Sequence, residues 1–358
     1  MPTVPGAPPP VAGEIAALVD RRMAELMAAE SARWDAVAPP LGDPLAALDA
    51  FLARGGKRLR PAFCYWAYVG AGGRADGPSV VDTCAALELL HAFALVHDDV
   101  MDGSSRRRGA ATVHVAFADR HAERSWRGEG RRFGEGMAVL VGDLAISYAD
   151  SLLVGATRDV VEVFGELKLE MVMGQCLDLL GAARGRLERD EARQVALLKT
   201  AKYTVERPLH LGAALAGRLG ELAGPLSAFG LPLGEAFQLR DDLLGAFGEV
   251  GETGKPVGED FREGKPTVLV AIARERAQSQ GDEAALAALD LVGRPDLDQA
   301  AVDRVREAAE RTGARAEVES LVAELVERSC AALEAAPLES SAREALGELA
   351  HFVGGRAA

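Results

Sequence analysis

The chain has 358 residues, of which 49% are hydrophobic, so it is long enough to bury a large core in one or two domains. Its formal net charge of -14 argues against a general nucleic-acid binder, and any anionic ligand has to be held by local basic clusters or by metal. Aromatic residues make up only 5% of a chain rich in Ala and Leu, which favours helices over sheets.

The cysteines and the N-terminal sequence bear on the cellular compartment. Cys64, Cys84, Cys176 and Cys330 are scattered, and their spacing fits neither a zinc site nor an obvious disulfide framework. The N-terminus lacks a basic region followed by an apolar stretch, and no uncharged apolar run reaches the roughly 18 residues that span a bilayer. We therefore expect a cytoplasmic protein with no signal peptide and no transmembrane segment, and peripheral association with a membrane is left open.

Helical periodicity dominates the first hundred residues. Residues 1–10 are rich in Pro and are predicted to be disordered. Helices are expected over 11–37, which a Pro pair ends, and over about 44–53, which a Gly pair ends. Residues 78–102 are predicted to form one long buried helix, because almost all of its faces are apolar.

The helical pattern continues through the rest of the chain. A polar, Arg-rich stretch at about 119–135 is predicted to be an exposed loop, and a Gly-rich, charged segment at 248–266 a larger one. Further helices are expected over 137–157, 159–181, 189–219 and 225–246, with three or four shorter ones over 267–354. No strand-like alternation is long enough to build a sheet, so residues 11–358 are predicted to form one large all-α domain.

The first of two acidic clusters lies at the end of the long apolar segment. Asp98 and Asp102 are four residues apart and share one helical face, with Asp99 beside them. The apolar residues before them indicate that this end of the helix is buried, where adjacent carboxylates repel each other and lose hydration. The alternative is exposed aspartate at a helix end, which is unfavourable because the helix C-terminus is already negative.

The second acidic cluster is Asp241-Asp242, and it is the weaker signal because Gly245 stands four residues after Asp241. Alone, the pair could be an ordinary solvated pair on a helix surface. Gln238 lies one turn before Asp242 and could contribute its amide to the same cavity. Two acidic clusters that face one cavity would hold divalent metal, and metal held in this way usually binds phosphate.

Basic residues recur near both acidic clusters, and arginine in particular offers a planar fork that suits phosphate oxygens. They are Lys57, Arg58 and Arg60 after Gly55-Gly56, Arg106, Arg107 and Arg108 after the first cluster, Lys199 with Thr200, and Lys255 and Lys265 after the second cluster. A Gly pair lets the backbone approach an anion closely. The simpler interpretation of a charge run is a solvated face, and that of each lone lysine a surface residue.

His91 lies seven residues before Asp98, about two turns back on the same helical face. A histidine on an apolar helix is more simply a hydrogen-bonded core residue than a ligand.

Together the acidic clusters and the basic residues indicate two sites that bind anionic groups, one that uses carboxylates through metal and one that uses Lys and Arg directly. Such an arrangement suits a substrate with a diphosphate head and an apolar tail, plus a second diphosphate.

These motifs, in this order and spacing from about residue 45 to 270, resemble those of the trans-type polyprenyl diphosphate synthases. The resembling segments are 55–61 (the isopentenyl diphosphate motif), Asp98–Asp102 with Arg107-Arg108-Gly109 (the first aspartate-rich motif), Lys199-Thr200, Phe237-Gln238 with Asp241-Asp242, Lys255 and Lys265. The resemblance implies an all-α helical bundle around a central cavity, a homodimer and Mg²⁺. The substrates it implies are isopentenyl diphosphate and allylic prenyl diphosphates.

The resemblance also assigns roles to individual residues. Metal ligands would be Asp98, Asp102 and Asp241, with Asp99 and Asp242 in support. The allylic diphosphate would contact Arg107, Lys199, Thr200, Gln238, Lys255 and Lys265. Isopentenyl diphosphate would contact Lys57, Arg60, His91 and Arg108, with Gly56 giving access to the backbone. Lys199, Arg107, Asp98 and Asp99 are the candidates for a direct part in catalysis.

The expected reaction is metal-assisted ionisation of the allylic diphosphate and condensation with isopentenyl diphosphate to a short-chain all-trans product. Metal and cationic side chains would stabilise the departing diphosphate, and an apolar cavity would exclude water from the carbocation. A proton is then lost, and no protein general base is required. Many family members carry a third aspartate where this chain has Gly245, so one metal contact is expected to be weaker.

Product length is predicted from the residues just before the first acidic cluster. Phe93 is five residues before Asp98, where it would form a floor for the growing tail, while the small Ala94 leaves space beside it. In the resembling family an aromatic residue here, with nothing inserted between Asp99 and Asp102, is similar to a geranylgeranyl (C20) synthase. A farnesyl (C15) synthase is the close competitor, and simple core packing is the alternative role of Phe93.

Two rival functions share parts of this pattern. A class I terpene cyclase has the same fold and acidic clusters, but it binds one diphosphate and has no use for a site at Lys57 and Arg60. A non-catalytic partner subunit of a two-component synthase typically loses an aspartate motif, whereas the first motif here is complete.

Overall fold

The computed structural model describes residues 9–248, 258–265, 267–294 and 296–355. Those residues form sixteen α-helices, a ten-residue π-helical segment, one short 3-10 turn and a two-stranded hairpin. The all-α fold predicted from the sequence is confirmed, since about 80% of the chain is helical.

The α-helices differ widely in length, from 4 residues in the shortest to 29 in the longest. In chain order they are α1 (Pro10–Asp35), α2 (Gly42–Ala53), α3 (Leu59–Gly70), α4 (Pro78–Met101), α5 (Val113–Glu123), α6 (Gly130–Leu152), α7 (Arg158–Arg184), α8 (Arg189–Ala196), α9 (Arg207–Leu215), α10 (Leu219–Phe247), α11 (Glu259–Arg262), α12 (Val268–Gln280), α13 (Glu283–Leu289), α14 (Gln299–Arg311), α15 (Ala314–Glu334) and α16 (Ser340–Gly355). The 3-10 turn (Pro39–Leu41) precedes α2, and the π-helical segment (Leu197–Glu206) joins α8 to α9. Strands β1 (Arg106–Arg107) and β2 (Ala110–Ala111) form the antiparallel hairpin.

The Arg-rich stretch at 119–135 is not a loop, and this prediction was wrong. Helix α5 continues to Glu123 and α6 begins at Gly130, so only 124–129 lies between helices. Aromatic packing holds the connection, since the Trp126 and Phe133 ring centroids lie 5.3 Å apart and those of His121 and Phe133 5.4 Å apart. Four of its five arginines are exposed, and this polar composition made the helical residues resemble a loop.

Three other segment predictions need adjustment or fall partly outside the described residues. Of the predicted disordered residues 1–10, only Pro9 and Pro10 are described, and Pro10 is the first residue of α1. In the C-terminal part, the described residues of 267–354 form five helices, α12–α16, where three or four were predicted. Most of the predicted loop at 248–266 lies outside the described residues, and Glu259–Arg262 forms the short helix α11.

The described residues group into two compact units. The first unit comprises 10–65 and 74–158, and its largest helix contact is between α4 and α6. The second unit comprises Pro9, 66–73 and the described residues from 159 onward. In it, α10 packs against α15 and against the π-helical segment. The prediction of a single domain over 11–358 stays a prediction.

Helix α4 is the central helix of the first unit. It is long and apolar enough to cross a membrane, but 61% of its apolar 18-residue stretch is buried inside the protein, as in the core helix of a folded unit. Two acidic side chains of α4 are buried: Asp99 near its C-terminal end, and Glu88, which is 4% exposed and pairs with the buried guanidinium of Arg58. Removing one partner of such a buried pair typically costs about 3–5 kcal/mol, because the other charge is left uncompensated.

Candidate active site

The first acidic cluster lies at the C-terminal end of α4, in the first unit. Asp99 is only 1% exposed, and its Oδ1 accepts a hydrogen bond of 2.8 Å from Nε of Arg107. Nη2 of Arg107 lies 3.5 Å from Oδ2 of Asp98, so one guanidinium bridges the two adjacent carboxylates. Asp102 caps the helix and donates its backbone N–H to the carbonyl of Asp98 at 2.8 Å. The structure thus brings Asp98, Asp99 and Arg107 together.

Arg107 owes its position to the β1–β2 hairpin, which was not predicted from the sequence. Both residues at its tip, Arg108 and Gly109, have positive φ angles of 50° and 76°. Positive φ at both central residues is what type I′ hairpin turns require, and Gly109 adopts it without steric cost. The turn folds the chain back within six residues of the acidic cluster, so that Arg107 returns to Asp99.

The predicted isopentenyl diphosphate residues also lie together in the first unit. The Arg108 guanidinium donates to the carbonyl of Gly55, and its Nη2 would lie 3.3 Å from a Cβ added to Gly56. A side chain at Gly56 would therefore press on Arg108, which is consistent with the predicted backbone access there. Lys57 and Arg60 are half-buried at the start of α3.

Arg58 has a different role from its basic neighbours. Its side chain is 5% exposed and pairs with Glu88 and, at 2.7 Å, with Asp20, while Nη2 donates to the carbonyl of Leu52 at 3.1 Å. The backbone of Arg58 has a positive φ of 47°, and its side chain points into the protein. Arg58 therefore stabilises the entry to α3, where Lys57 and Arg60 lie.

His91 lies among these arginines and is electrostatically perturbed by them. Burial, followed by the positive charges of Arg60, Arg108 and Arg107, holds the pKa of His91 well below its ordinary value. The imidazole is therefore neutral at neutral pH, and it can donate one N–H without adding to the positive charge around it.

The second acidic cluster lies on α10, in the second unit. Nε2 of Gln238 donates to Oδ1 of Asp242 at 2.7 Å, and Oγ1 of Thr200 donates to Oε1 of Gln238 at 2.5 Å. Burial raises the pKa of Asp242 to about 8, and the negative charges of Asp260 and Asp241 add to the increase. Asp242 is thus protonated at neutral pH until a cation compensates its charge.

Lys199 is held by a carboxylate that the sequence did not single out. Its Nζ lies 2.6 Å from Oδ2 of Asp178 on α7, and both side chains are largely buried. Asp178 is the single acidic residue in the last fourteen residues of α7, which is the signal that could have identified it. Lys199 and Thr200 are neighbours in the π-helical segment. Asp178 on α7 binds Lys199, and Gln238 on α10 binds Thr200.

A further carboxylate stands at the position where the second motif lacks its third aspartate. A Cβ on Gly245 would collide with Oδ2 of Asp260 and lie 3.1 Å from its Cγ. Backbone hydrogen bonds fix this contact, since Gly258 donates to the carbonyl of Gly245 at 3.0 Å and Lys265 to that of Asp260 at 2.9 Å. Nζ of Lys265 lies 2.7 Å from Oε2 of Glu263, and Lys255 lies outside the described residues.

The donor set suits a hard divalent cation, which prefers carboxylate oxygens and keeps several water or phosphate oxygens. Among the described residues, no three His, Cys, Asp or Glu side chains are arranged to hold a metal ion by themselves. Burial, and then the neighbouring carboxylates of Asp260 and Asp241, raises the pKa of Asp242, so a cation bound beside these groups would stabilise its ionised form. The predicted metal residues therefore fit a metal whose other ligands come from solvent and substrate.

Phe93 is backed by a rigid neighbour. Its ring centroid lies 4.6 Å from that of His97, one turn further along α4. Nε2 of His97 lies 2.9 Å from the carbonyl of Val139, and the ring is pressed so closely on Gly142 that a Cβ there would collide with it. Helix α6 thus fixes His97, and His97 limits the movement of Phe93, while Ala94 is half-buried beside it.

The all-helical fold, the two acidic clusters and the positioned cations agree with those expected of a prenyl synthase, and the family match decides the class. The chain belongs to the polyprenyl synthetase family, whose sequence model matches residues 45–308. The predicted enzyme class is thereby confirmed: this is a transferase of prenyl groups, of the short-chain trans type.

Similar proteins cover nearly the whole chain. A short chain isoprenyl diphosphate synthase from Methanothermobacter thermautotrophicus is 31% identical over 86% of this chain and 89% of its own. The crystal structure of a geranylgeranyl pyrophosphate synthase from Corynebacterium glutamicum, complexed with isoprenyl diphosphate and magnesium, is 35% identical, with a TM-score of 0.91 over 97% of this chain and 99% of that one. A polyprenyl synthase from Caulobacter crescentus, complexed with calcium and isoprenyl diphosphate, is 30% identical, with a TM-score of 0.74 and full coverage of both chains.

Proposed function

We propose that the enzyme condenses isopentenyl diphosphate with allylic diphosphates and releases geranylgeranyl diphosphate (C20) as its main product. The observation that carries elongation is the group of cations around the neutral His91, namely Arg60 and Arg108 beside the Gly55-Gly56 loop. A terpene cyclase acts on one diphosphate and has no use for this group in addition to the acidic motifs. An elongating enzyme needs it to hold its second substrate.

The acidic residues take the metal role in this proposal. Asp98, Asp102 and Asp241 would hold Mg²⁺, which when bound supplies the positive charge that stabilises a departing diphosphate. Asp99 supports them by orienting Arg107. Asp242 supports them by accepting a hydrogen bond from Gln238, which in turn accepts one from Thr200. The magnesium complex of the Corynebacterium glutamicum structure and the calcium complex of the Caulobacter crescentus structure support a divalent cation.

The cations of the chain itself bind the allylic diphosphate. Lys199 and Arg107 are each held by a carboxylate before substrate arrives, so their charges are preorganised and need little rearrangement as the C–O bond breaks. The electron pair of that bond leaves with the diphosphate, and the double bond of isopentenyl diphosphate attacks the allylic cation. The released diphosphate then takes the proton that is lost.

The remaining residues of the proposal bind and orient the two substrates. The allylic diphosphate is contacted further by Thr200, Gln238, Lys255 and Lys265, and isopentenyl diphosphate by Lys57, Arg60, Arg108 and His91 over Gly56. Because His91 is neutral, it donates a hydrogen bond to a phosphate oxygen and leaves the charge balance to the arginines.

The C20 length rests on Phe93 as the floor for the product tail. Support comes from the His97 ring that backs Phe93 and from the contact of His97 with α6, because a floor limits chain length only if it cannot swing away. The similar Corynebacterium glutamicum enzyme is a geranylgeranyl pyrophosphate synthase.

A homodimer is part of the proposal, and an exposed apolar face of α7 supports it. Leu169 is 64% exposed and Met173 60%, and Val161, Val172 and Leu180 on the same helix are also more than 40% exposed. An exposed apolar surface of this kind normally marks a contact with another protein. We propose that a second copy of the chain binds there. The four cysteines are free thiols, which supports a cytoplasmic location.

The test is incubation of the purified protein with Mg²⁺, isopentenyl diphosphate and, separately, dimethylallyl, geranyl and farnesyl diphosphates. Products are dephosphorylated and sized by chromatography. We expect a metal-dependent C20 alcohol. A main product of C15 would replace the C20 assignment by farnesyl diphosphate synthesis. A cyclic hydrocarbon from one diphosphate, with no elongation, would overturn the proposed reaction.

A further inference from the structure

The π-helical segment Leu197–Glu206 carries Lys199 and Thr200 and contacts both α7 and α10. A π-helix has one more residue in each hydrogen-bonded turn than an α-helix, and it is rare because its packing is poorer. Ten residues in this conformation need support from their neighbours. Two glycines, one on α7 and one on α10, lie against this segment.

The first glycine is Gly174 in the middle of α7. A Cβ added there would lie 2.7 Å from Cα of Lys199 and 2.8 Å from the carbonyl carbon of Leu198, and closer still to the amide nitrogen of Lys199. Real Cβ atoms essentially never approach other atoms within 3.0 Å. The colliding atoms are all backbone, so no side-chain rotation could relieve them.

The second glycine is Gly234 in α10, on the other side of the segment. A Cβ there would lie 2.5 Å from both Cα and the carbonyl oxygen of Ala201. Gly174 on α7 and Gly234 on α10 therefore both lie against the backbone between Leu198 and Ala201. Any residue with a Cβ would be too large for this approach.

One helical turn after each glycine stands a residue whose side chain binds Lys199 or Thr200 of the π-helical segment. Asp178 follows Gly174 by four residues and binds Lys199, and Gln238 follows Gly234 by four residues and binds Thr200. We propose that Gly174 and Gly234 are positioning residues that clamp the π-helical backbone and so set the reach of Lys199 and Thr200. This inference rests on the proposed role of those two residues in binding the allylic diphosphate.

Alanine at either position would have to push the segment away by roughly 1 Å to reach ordinary contact distances, and misplacement of this size can cost about 100-fold in rate. Asp178 and Gln238 would keep their helices but lose the geometry of their hydrogen bonds. Glycine is a poor residue for a helix interior, so alanine would be favoured at both positions if the close approach had no purpose.

The test compares Gly174→Ala and Gly234→Ala with control substitutions of glycine by alanine elsewhere. Gly220→Ala and Gly224→Ala on α10 are the controls, because a Cβ at either would meet no atom within 4 Å. For the clamp variants we expect kcat/KM for the allylic diphosphate to fall by about 10- to 100-fold, with the KM for isopentenyl diphosphate within about twofold of wild type. The control variants should match wild type on both substrates. A folded clamp variant that matches its control would overturn the inference.

Hydrogen exchange on the wild-type protein tests the clamp even if an alanine variant fails to fold. The amides of 198–202 should be strongly protected in the free protein, and adding Mg²⁺ with inorganic diphosphate should change their protection little. Rapid exchange that slows only with diphosphate would show that the ligand, not the glycines, orders the segment. If wild type is protected but elongates no substrate, the proposed function fails while the clamp stands.

Discussion

The carboxylate of Asp260 occupies the space beside Gly245 that a side chain at position 245 would need. Gly245 lies one turn after Asp241, where the resembling family often has a third aspartate. The second acidic cluster therefore has a third carboxylate close by, supplied by α11 rather than by α10. Gly245 predicts a weaker metal contact, and Asp260 places a carboxylate beside it that local sequence spacing does not reveal.

This relationship predicts that an aspartate at position 245 and Asp260 exclude each other. Gly245→Asp should lower activity by about tenfold or more, because two carboxylates are forced into one space, and adding Asp260→Ala should restore much of it. The measurement is the initial rate as a function of Mg²⁺ concentration for both single variants and the double variant. Additive losses in the double variant would contradict the interpretation.

The pKa of Asp242 predicts how stability depends on pH when Mg²⁺ is removed. The folded protein keeps this carboxyl protonated up to about pH 8, whereas the unfolded chain releases the proton near 3.8. The folded state thus binds more protons between these values, so the contribution of Asp242 to stability is lost as pH rises through that window. Melting temperatures in chelator should fall with pH more steeply for wild type than for Asp242→Asn, which mimics the protonated form.

Magnesium should change this pH dependence in a defined direction. A metal that binds the carboxylate competes with its proton, so stabilisation by Mg²⁺ should increase from pH 6 toward about pH 8 in wild type. The Asp242→Asn variant should show a smaller increase. Equal pH profiles for the two proteins would mean that the carboxyl at 242 does not titrate in this range.

Much of the fold could be predicted from the sequence because apolar residues recur at helical spacing in nearly every segment. The residues that escaped prediction depend on tertiary contacts. Asp178 and Asp260 are ordinary helix residues until packing brings them to Lys199 and Gly245. The β1–β2 hairpin is too short for strand alternation, so only Gly109 marks its turn.

The basic run 57–61 illustrates the same limit within one motif. Arg58 and Arg60 are identical in type and two residues apart, yet Arg58 turns inward to Glu88 while Arg60 lies near His91. Only the backbone, with its positive φ at Arg58, separates their roles. Sequence spacing alone does not distinguish the two guanidinium groups. The resemblance assigns Arg60, and not Arg58, to isopentenyl diphosphate, and that assignment stays a prediction.

Substitutions in the first unit should therefore separate stability from substrate binding. Arg58→Ala leaves Glu88 buried without its main partner and should destabilise the protein by about 3–5 kcal/mol. Arg108→Ala should instead raise the KM for isopentenyl diphosphate by about tenfold, with little change in melting temperature. Thermal melts and steady-state kinetics on the two variants check both expectations. Equal melting temperatures would contradict the structural role of Arg58.

The exposed face of α7 predicts a dimer that a single charge disrupts. Leu169→Glu or Met173→Glu should weaken association by about 100-fold or more, because a charge buried in an apolar interface lacks a partner. Val37→Glu is the matched control, since Val37 is 67% exposed and lies outside α7. Light scattering over a range of protein concentrations gives the result. A wild-type monomer at micromolar concentration, or an α7 variant that stays dimeric, would contradict the proposed interface.

Product length should respond to the size of Phe93 and of its neighbour in opposite directions. Phe93→Ala removes the floor and should shift the products beyond C20, whereas Ala94→Phe fills the space beside it and should shorten them. Gly142→Ala tests the support behind the floor, because a Cβ there collides with His97 and would displace the ring that packs on Phe93. Chromatographic sizing of dephosphorylated products measures all three. Unchanged lengths in Phe93→Ala would mean that Phe93 is core packing and that another residue ends the tail.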